Sequence, residues 1–451
     1  MRKITFILLV ILALPLYMEA QLNFVFPVGT ARGGAMTALS SDWESIAVSP
    51  SNLGWDENHK ISFTLVNFGI SAQADQLTIP NIKKIVNNND TALLEQILSS
   101  HGGLNLYANM IWAAFSVKIP KIGGFAFSVS DRAYGNIFIS PNVTSTQDFD
   151  AAFAAVASTA FTPQNAQKFN SNVNVNGADS LMKLINLLNS FNTTHVSLYE
   201  YREINLDYGR HLFTIGDDSS GFRFYGGVGL KYLIGLADIH GEFDNYKVAA
   251  DYAVDNSGNF SPFGSGAPGH GVGMDIGASM AYKKWKFAVS ATDIGSINWT
   301  GTHSTLSDST VAQRIIQNRK DSNNSNNIGS YIQSNSETFE TILPAKLRFG
   351  AAYKVNKYLT LASDIIMPLN NEVGNLEGTY YSIAGHLRIG KLLTLDAGLA
   401  SARYYGVVLP AGIAFGNRIQ IYFGVNDVLT FLGKTENTDV SAAFGLIRVN
   451  L

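Results

Sequence analysis

Apolar and polar residues alternate along many segments of the chain, and this alternation predicts β-strands with one apolar and one polar face. In residues 345–355, for example, one face is apolar and the opposite face carries Lys346, Arg348 and Lys354. Counting such segments predicts about 14 antiparallel strands. They lie near residues 59–72, 106–118, 123–133, 195–214, 222–239, 270–282, 285–300, 345–355, 358–367, 378–389, 392–402, 406–415, 418–427 and 439–451.

The connections between these segments alternate between short turns and long loops. The short connections are Pro120–Gly123, Ile215–Gly221, Lys283–Lys284, Asn356–Lys357, Gly390–Lys391 and Gly416–Asn417. The long ones are Gln73–Asn105, Tyr134–Thr194, His240–His270 and Gly301–Pro344. Transmembrane β-barrels have short periplasmic turns at one end and longer extracellular loops at the other. A soluble β-sandwich, the alternative all-β fold, gives no reason for such sorting.

The N-terminus has the features of a secretory signal peptide covering residues 1–20. The basic start Met1-Arg2-Lys3 precedes the apolar run Ile4–Leu16, and Ala20 is a small residue at a plausible cleavage site. An N-terminal membrane anchor is the alternative, but it needs about 20 apolar residues. Glu19 ends the apolar run too early for that.

Composition favours a membrane protein built from strands. Beyond residue 20 no stretch approaches the length of apolar sequence that a transmembrane helix needs. Hydrophobic residues make up 46% of the chain and charged residues only 15%, against about 25% charged residues in typical soluble domains. Strands that face lipid accommodate this composition, because alternation keeps the mean hydropathy modest. We therefore expect a β-barrel in the bacterial outer membrane, in contact with its lipid.

One predicted strand, residues 285–300, carries a conflict in its pattern. Trp285 and Trp299 bracket it at positions suited to the aromatic girdles of a membrane barrel. Asp293 falls on the lipid-facing phase between them. Either a β-bulge near Thr292 shifts the phase, or the assigned register is wrong.

Several long loops contain apolar residues at helical spacing, in residues 79–100, 178–191 and 309–319. Such helices over the barrel mouth would either form an apolar ligand entry or only pack on one another. Residues 255–271 and 321–336, rich in Gly, Ser and Asn, are expected to form solvated loop tips.

Residues 27–55 lack the strand pattern. They contain the small-residue run Gly29–Leu39, then Asp42, then Ser49-Pro50-Ser51-Asn52-Leu53-Gly54. This arrangement resembles the N-terminal hatch of the FadL-type outer-membrane channel superfamily, which includes barrel proteins of type IX secretion in Bacteroidetes. In that superfamily an Asn-Pro-Ala motif precedes the first strand, and Ser49-Pro50-Ser51 stands in its place here.

The resemblance implies that residues 21–58 plug a barrel of residues 59–451 from the periplasmic side. Charged side chains inside such a barrel should be paired, because an unpaired buried charge costs several kcal/mol. The alternative is that some of the basic side chains bind the carboxylate of a ligand. The candidate residues are Arg32, Asp42 and Glu44 of the plug, and Arg223, Lys231, Lys346, Arg348, Arg388 and Arg418 of the lumen.

The sequence offers no motif for catalysis, and we expect no enzyme, metal or cofactor. It lacks phosphate-binding loops, nucleophile elbows and zinc-protease motifs. Ser382 and His386 share a strand face, but at roughly 13 Å they are too far apart for a nucleophile–base pair. The chain has no cysteine, so disulfides and thiolate ligands are excluded. A net charge of −3 gives no indication of nucleic-acid binding.

Two functions remain open at this point. The first is a FadL-like outer-membrane channel for the uptake of small hydrophobic compounds, with the plug barring free diffusion. The second is a permanently plugged, non-transporting accessory barrel that docks a protein partner in a secretion or surface-assembly complex.

Overall fold

The strands of the chain close into a single antiparallel barrel. A computed structural model describes residues 26–56, 59–74, 77, 79–88, 90–100, 103–140, 192–217, 221–244, 247–254, 266–307, 333–402, 407–432 and 439–450. The strands are β1 (Ile61–Gln73), β2 (Leu104–Ile119), β3 (Gly123–Phe138), β4 (His195–Ile215), β5 (Phe222–Asp244), β6 (Lys247–Val254), β7 (Gly269–Tyr282), β8 (Trp285–Ser307), β9 (Gln333–Ile342), β10 (Lys346–Lys354), β11 (Leu359–Pro368), β12 (Tyr380–Ile389), β13 (Leu393–Ala402), β14 (Val407–Val408), β15 (Ala411–Gly416), β16 (Ile419–Val425) and β17 (Asp439–Asn450).

Fourteen of these strands form the barrel wall. Strand β1 pairs with both β2 and β17, so the sheet has no open edge. Strands β6 and β9 pair with the far ends of β5 and β8, outside the ring. The two-residue β14 continues the wall beyond β15 and pairs with β13. The predicted barrel of about 14 antiparallel strands is confirmed.

The outside of the barrel is apolar and exposed. Leu206, Leu230 and Val272 project outward and are 55%, 60% and 70% exposed. Inward-facing residues of the same wall are polar and buried, and Lys346 and Arg348 are only 2% and 4% exposed. An apolar surface that surrounds the molecule far exceeds the patches tolerated in water. Lipid contact around the wall accounts for it.

Short turns and long connections lie at opposite ends, as expected. The long end differs from expectation in one respect: β5 and β8 extend beyond the wall, and β6 and β9 pair with these extensions. Residues 333–336, expected within a solvated loop tip, are therefore part of β9. The sequence pattern missed β9 because most of its residues are polar.

Helices occur in the first long connection, as α2 (Ile79–Asn88) and α3 (Thr91–Leu98), and after β16 as α4 (Val428–Phe431). Within the part of the chain that the structure describes, no helix is long and apolar enough to cross a membrane. The predicted signal peptide, the helical patterns at 178–191 and 309–319, and most of the predicted loop tips lie outside the described residues.

A β-bulge in β8 resolves the conflict at Asp293. The register of β7 and β8 shifts between Met274 and Ile276, and Asp293 has a φ of 59°. The extra residue turns Asp293 into the lumen and reverses the phase of everything after it. Trp299 is therefore fully buried inside the barrel, and its expected place in a lipid-facing girdle is wrong. Trp285, before the bulge, remains exposed.

The Trp299 ring lies directly on the backbone of Gly235, where a Cβ would come within 2.4 Å of the ring carbons. We expect Gly235→Ala to destabilise the barrel by about 1–3 kcal/mol, because overpacking forces side chains off their rotamers. Urea unfolding in lipid vesicles, followed by tryptophan fluorescence, measures this change. Gly385→Ala is the matched control, since a Cβ there meets no atom closer than 3.7 Å. Equal midpoints for the two variants contradict the prediction.

The N-terminal segment, residues 26–55, lies inside the barrel. It consists of α1 (Pro27–Ala31) and two 3₁₀ turns, Asp42–Ser45 and Pro50–Gly54, and it is almost entirely buried. Helix α1 packs on β13, β15, β16 and β17, and the 3₁₀ turns pack on β1 to β5, β7 and β8. Residues 32–38 contact β10, β11 and β12. The segment therefore touches every one of the fourteen wall strands.

Candidate functional site

Glycines of the wall let the N-terminal segment approach the strands backbone to backbone. A Cβ at Gly209 would lie 2.2 Å from the carbonyl oxygen of Pro50, and one at Gly227 would lie 2.4 Å from the Pro50 carbonyl carbon. On the other side of the barrel, a Cβ at Gly424 would lie 2.4 Å from the carbonyl oxygen of Pro27. Glycine in a strand commonly marks such a close approach. Both ends of the segment are thus fitted to the wall.

Asp364 of β11 holds the middle of the segment. Its Oδ2 accepts hydrogen bonds from the backbone nitrogens of Met36 and Thr37, at 3.0 and 2.8 Å, and from Thr37 Oγ1 at 2.6 Å. All three groups are buried. Hydrogen bonds to an ionised acceptor are stronger than those between neutral groups. A single wall carboxylate therefore fixes the backbone within the small-residue run.

Arg32 makes the second attachment. Its Nε donates to Asp396 Oδ1 of β13 at 2.8 Å, and its Nη2 lies 2.9 Å from His386 Nδ1 of β12. Tyr422 donates its hydroxyl to the other oxygen of Asp396. Burial acts to lower the pKa of the Arg32 guanidinium, but the neighbouring Asp396 carboxylate outweighs it and raises that pKa above its ordinary value. The Arg32 side chain therefore remains charged inside the barrel.

The two acidic candidates of the segment also find basic partners. Glu44 accepts from Arg448 of β17, and Asp42 accepts from the backbone nitrogen of His59 at 2.9 Å, with His59 Nδ1 2.8 Å from its other oxygen. Neither Arg448 nor His59 is among the candidate lumen residues predicted from the sequence. Asp396 and Asp364 were not nominated either, although both lie on the polar phase of strands that alternate clearly.

Beyond the segment, Lys231 is the centre of a buried lumen charge cluster, defined as Arg132, Glu203, Lys231, Asp275 and Asp293. Lys231 Nζ lies 2.6 Å from Asp293, 3.0 Å from Asp275 and 3.7 Å from Glu203. Arg132 bonds to Asp293 at 3.0 Å and to Glu203 at 3.2 Å. Two cations and three anions thus share one site on β3, β4, β5, β7 and β8. Of its members, only Lys231 was nominated from the sequence.

The remaining nominated bases fall into two groups. Lys346 and Arg348 are buried near the lumen charge cluster, and Lys346 Nζ donates to the carbonyl of Pro344 at 3.1 Å. Arg223 and Arg388 instead line the barrel mouth at the short-turn end. Arg418 is exposed beside a short turn and contributes to neither described cavity at this mouth.

A tyrosine cluster, Tyr107, Tyr134, Tyr199 and Tyr201, lines the lumen towards the long-loop end. The rings of Tyr134 and Tyr199 stack at a centroid distance of 5.0 Å, and Leu233, Trp299 and Leu343 pack around them. The connection from β11 to β12, residues 369–379, folds inward onto this cluster. Tyr199 donates its hydroxyl to the carbonyl of Val373 at 2.6 Å, and Gly374 lies against the Tyr134 ring.

The N-terminal segment separates two cavities. The cavity on the short-turn side has a volume of about 570 Å³ and is bounded by Arg32, Leu39 and Trp55 of the segment. The cavity on the other side measures only about 50 Å³ and lies between Trp43, Val48 and the wall residues Tyr107 and Arg132. The segment therefore bounds the short-turn cavity on its inner side.

Comparisons with known proteins agree with this architecture. A family model described as a family of unknown function, DUF5723, matches residues 248–426. No curated protein matches the chain in sequence. A solved deltaS2S3 mutant of the monoaromatic hydrocarbon channel TodX superposes with a TM-score of 0.51 at 12% identity, covering 94% of this chain and 99% of TodX.

Two further solved structures are similar over almost their whole length. The toluene transporter TbuX of Ralstonia pickettii has a TM-score of 0.49 at 11% identity, covering 96% of this chain and 99% of TbuX. A FadL homologue of Pseudomonas aeruginosa has a TM-score of 0.46 at 11% identity, covering 97% and 99%. The similarity to TodX shows that this chain shares the barrel fold of that channel, in agreement with the fold that the resemblance of residues 27–55 implied.

Proposed function

We propose that the protein is an outer-membrane channel for small hydrophobic compounds and that its N-terminal segment is a movable plug. The observation that carries this proposal is the contact of residues 26–55 with all fourteen wall strands, and this contact supports a lumen that is closed between its two mouths. The fold, shared with the monoaromatic hydrocarbon channel TodX, supports a transport role. Short turns then face the periplasm and long loops the cell surface.

The tyrosine cluster is the best candidate for ligand contact along such a path. Its stacked rings offer flat apolar surfaces, with Leu233 and Trp299 alongside. Binding sites for small molecules are mostly apolar, with a few polar groups that fix orientation. The inward connection at residues 369–379 covers the cluster, so a ligand arriving from the long-loop end displaces this connection first.

The attachments of the segment give one argument for a movable plug and one for a permanent plug. Arg32 and Asp364 hold it at two points by ionic and hydrogen-bonding contacts, whose net worth is modest because water competes for the same groups. This favours a plug that moves. The burial of the same contacts favours the alternative, a permanently plugged accessory barrel that serves a secretion or surface-assembly complex through a protein partner.

A disulfide lock distinguishes the two functions. Thr37 and Asp364 are in direct contact, and the native chain has no cysteine, so any intramolecular disulfide in T37C/D364C joins the segment to the wall. We expect cells that produce the oxidised variant to take up a hydrophobic naphthylamine dye at the rate of cells without the protein. After mild reduction the rate should rise at least about fivefold.

The single variants T37C and D364C control for loss of the native hydrogen bonds, and neither should respond to reduction. If the wild-type protein gives no dye uptake above background, and reduction of the pair changes nothing, the transport proposal fails. A stoichiometric protein partner recovered with the wild-type barrel from its native membrane would then support the accessory role.

A further inference from the structure

The cavity at the short-turn mouth is strongly basic. Nine of the 32 Lys and Arg residues of the chain line it, whereas Asp56 is the one acidic side chain among its described lining residues. The chain as a whole has a net charge of −3, so this concentration of positive charge is local. Grooves lined by charge of one sign focus the electrostatic field and attract molecules of opposite charge.

Internal ion pairs account for only part of this charge. Arg32 is paired with Asp396, Arg448 with Glu44, and Arg223 with Asp56. Lys354 and Arg388 are exposed and lie on the lumen-facing phase of β10 and β12, and neither has an acidic partner among the described residues. Their charges face the cavity and remain available to an incoming molecule.

The basic surface extends beyond this cavity. A second depression of about 420 Å³ shares Asp56 and Arg223 with the first and adds Lys118, Lys121 and Arg210. The two adjoining depressions form a continuous basic surface across the mouth. A small anion would fill only one such depression, whereas an extended polypeptide would cross both. Because Lys354 and Arg388 project into the lumen, lipid headgroups outside the wall do not reach them.

Aromatic side chains accompany the bases. Lys286 Nζ lies 3.7 Å from the ring centroid of Trp55, and the Tyr225 hydroxyl donates to Asp56. Tyr, Trp and Arg are enriched in protein–protein interfaces, and the rings here provide apolar contact area between the charged groups. An acidic peptide with interspersed apolar residues matches both features.

We infer that the short-turn mouth is a docking surface for an acidic polypeptide segment of a partner protein. That the partner resides in the periplasm rests on the proposed orientation of the barrel. The docking itself does not depend on transport, because the N-terminal segment closes the mouth from within. A bound segment would lie directly beneath Arg32, Leu39 and Trp55 of the plug.

Peptide binding to the full-length protein in a zwitterionic detergent tests the inference. The probe is a fluorescein-labelled peptide of twelve residues that contains six Asp and two Leu, and its analogue carries Asn at every Asp position. We expect fluorescence anisotropy to show micromolar binding of the acidic peptide at low salt. Binding should weaken at least tenfold at high salt, where the charges are screened, and the Asn analogue should not bind.

Charge reversal locates the site. K354E/R388E should weaken peptide binding at least tenfold. The matched control is K391E/R418E, which reverses two exposed charges of neighbouring short turns that line neither depression, and it should change binding less than twofold. Both variants should retain the heat-modifiable gel mobility of a folded barrel.

Three results would overturn the inference: no binding of the acidic peptide by the folded wild-type protein, an equal loss in both charge-reversal variants, or complete displacement by inorganic pyrophosphate at matched charge. The last result would reassign the mouth to a small anion. Dye uptake that fails while peptide binding persists would refute only the transport proposal.

Discussion

Replacing Gly209 and Gly227 together by valine is expected to release the second half of the N-terminal segment from the wall. The added side chains would overlap the backbone of Pro50 and Ser51. The wall strands are hydrogen-bonded on both sides, so the segment yields first. Two overpacked positions cost about 2–6 kcal/mol together. The amides of residues 48–55 should then exchange with solvent about 30-fold faster or more, as measured by hydrogen exchange and mass spectrometry in lipid nanodiscs.

The control for this experiment is Gly385→Val, which places the same side chain on a wall strand where no atom lies within 3.7 Å. Its segment should exchange at the wild-type rate. The double variant should also raise the ion conductance of planar bilayers. The inward connection at residues 369–379 limits the size of this increase. Unchanged exchange at residues 48–55 in the double variant would contradict the docking of Pro50 on these glycines.

The wall of the barrel follows from local sequence. Alternation with a period of two depends only on neighbouring residues, and it correctly placed Lys346 and Arg348 on the inner face and Leu347 and Phe349 on the outer face. The sorting of short and long connections is equally local. The number of wall strands, and the lumen-facing phase of regular strands such as β10, were therefore predictable without knowledge of any tertiary contact.

The phase of β8 was not predictable in this way. The bulge at Asp293 depends on Asp275 in the neighbouring strand, whose Oδ1 accepts from the Asp293 backbone nitrogen at 2.7 Å. A pattern within one strand cannot contain that contact. The sequence showed only that Asp293 placed a carboxylate on the lipid-facing phase of the predicted strand. Trp299 was assigned to the wrong face as a result.

The sequence predicted that charged residues inside the lumen would be paired, but it did not predict which residues would pair. Arg32 was identified as a charge that needs a partner, but the partner Asp396 lies 364 residues away in the sequence. Which acid meets which base depends on strand tilt and on the closure of the barrel. The same global geometry places Arg223 and Arg388 at the mouth and leaves Arg418 on the rim.

Replacing Lys231 by methionine is expected to cause the largest loss of stability of any single substitution in the lumen. Lys231 has no exposed side-chain surface and lies within 3.0 Å of both Asp275 and Asp293. Its removal leaves Asp293 with Arg132 but leaves Asp275 without a cation in contact among the residues that the structure describes. Breaking a buried ion pair by removing one partner costs about 3–5 kcal/mol. Urea unfolding in lipid vesicles, followed by gel mobility, measures the loss.

The second variant of this pair, K231M/D275N, tests the cause of the loss. Asparagine removes the orphaned charge and keeps an oxygen that accepts from the Asp293 backbone nitrogen. We expect the double variant to recover at least half of the stability lost in K231M, because the cost arises from an uncompensated anion rather than from the missing side chain. If the two substitutions simply add, the loss comes from packing instead. The lumen charge cluster would then not act as one electrostatic unit.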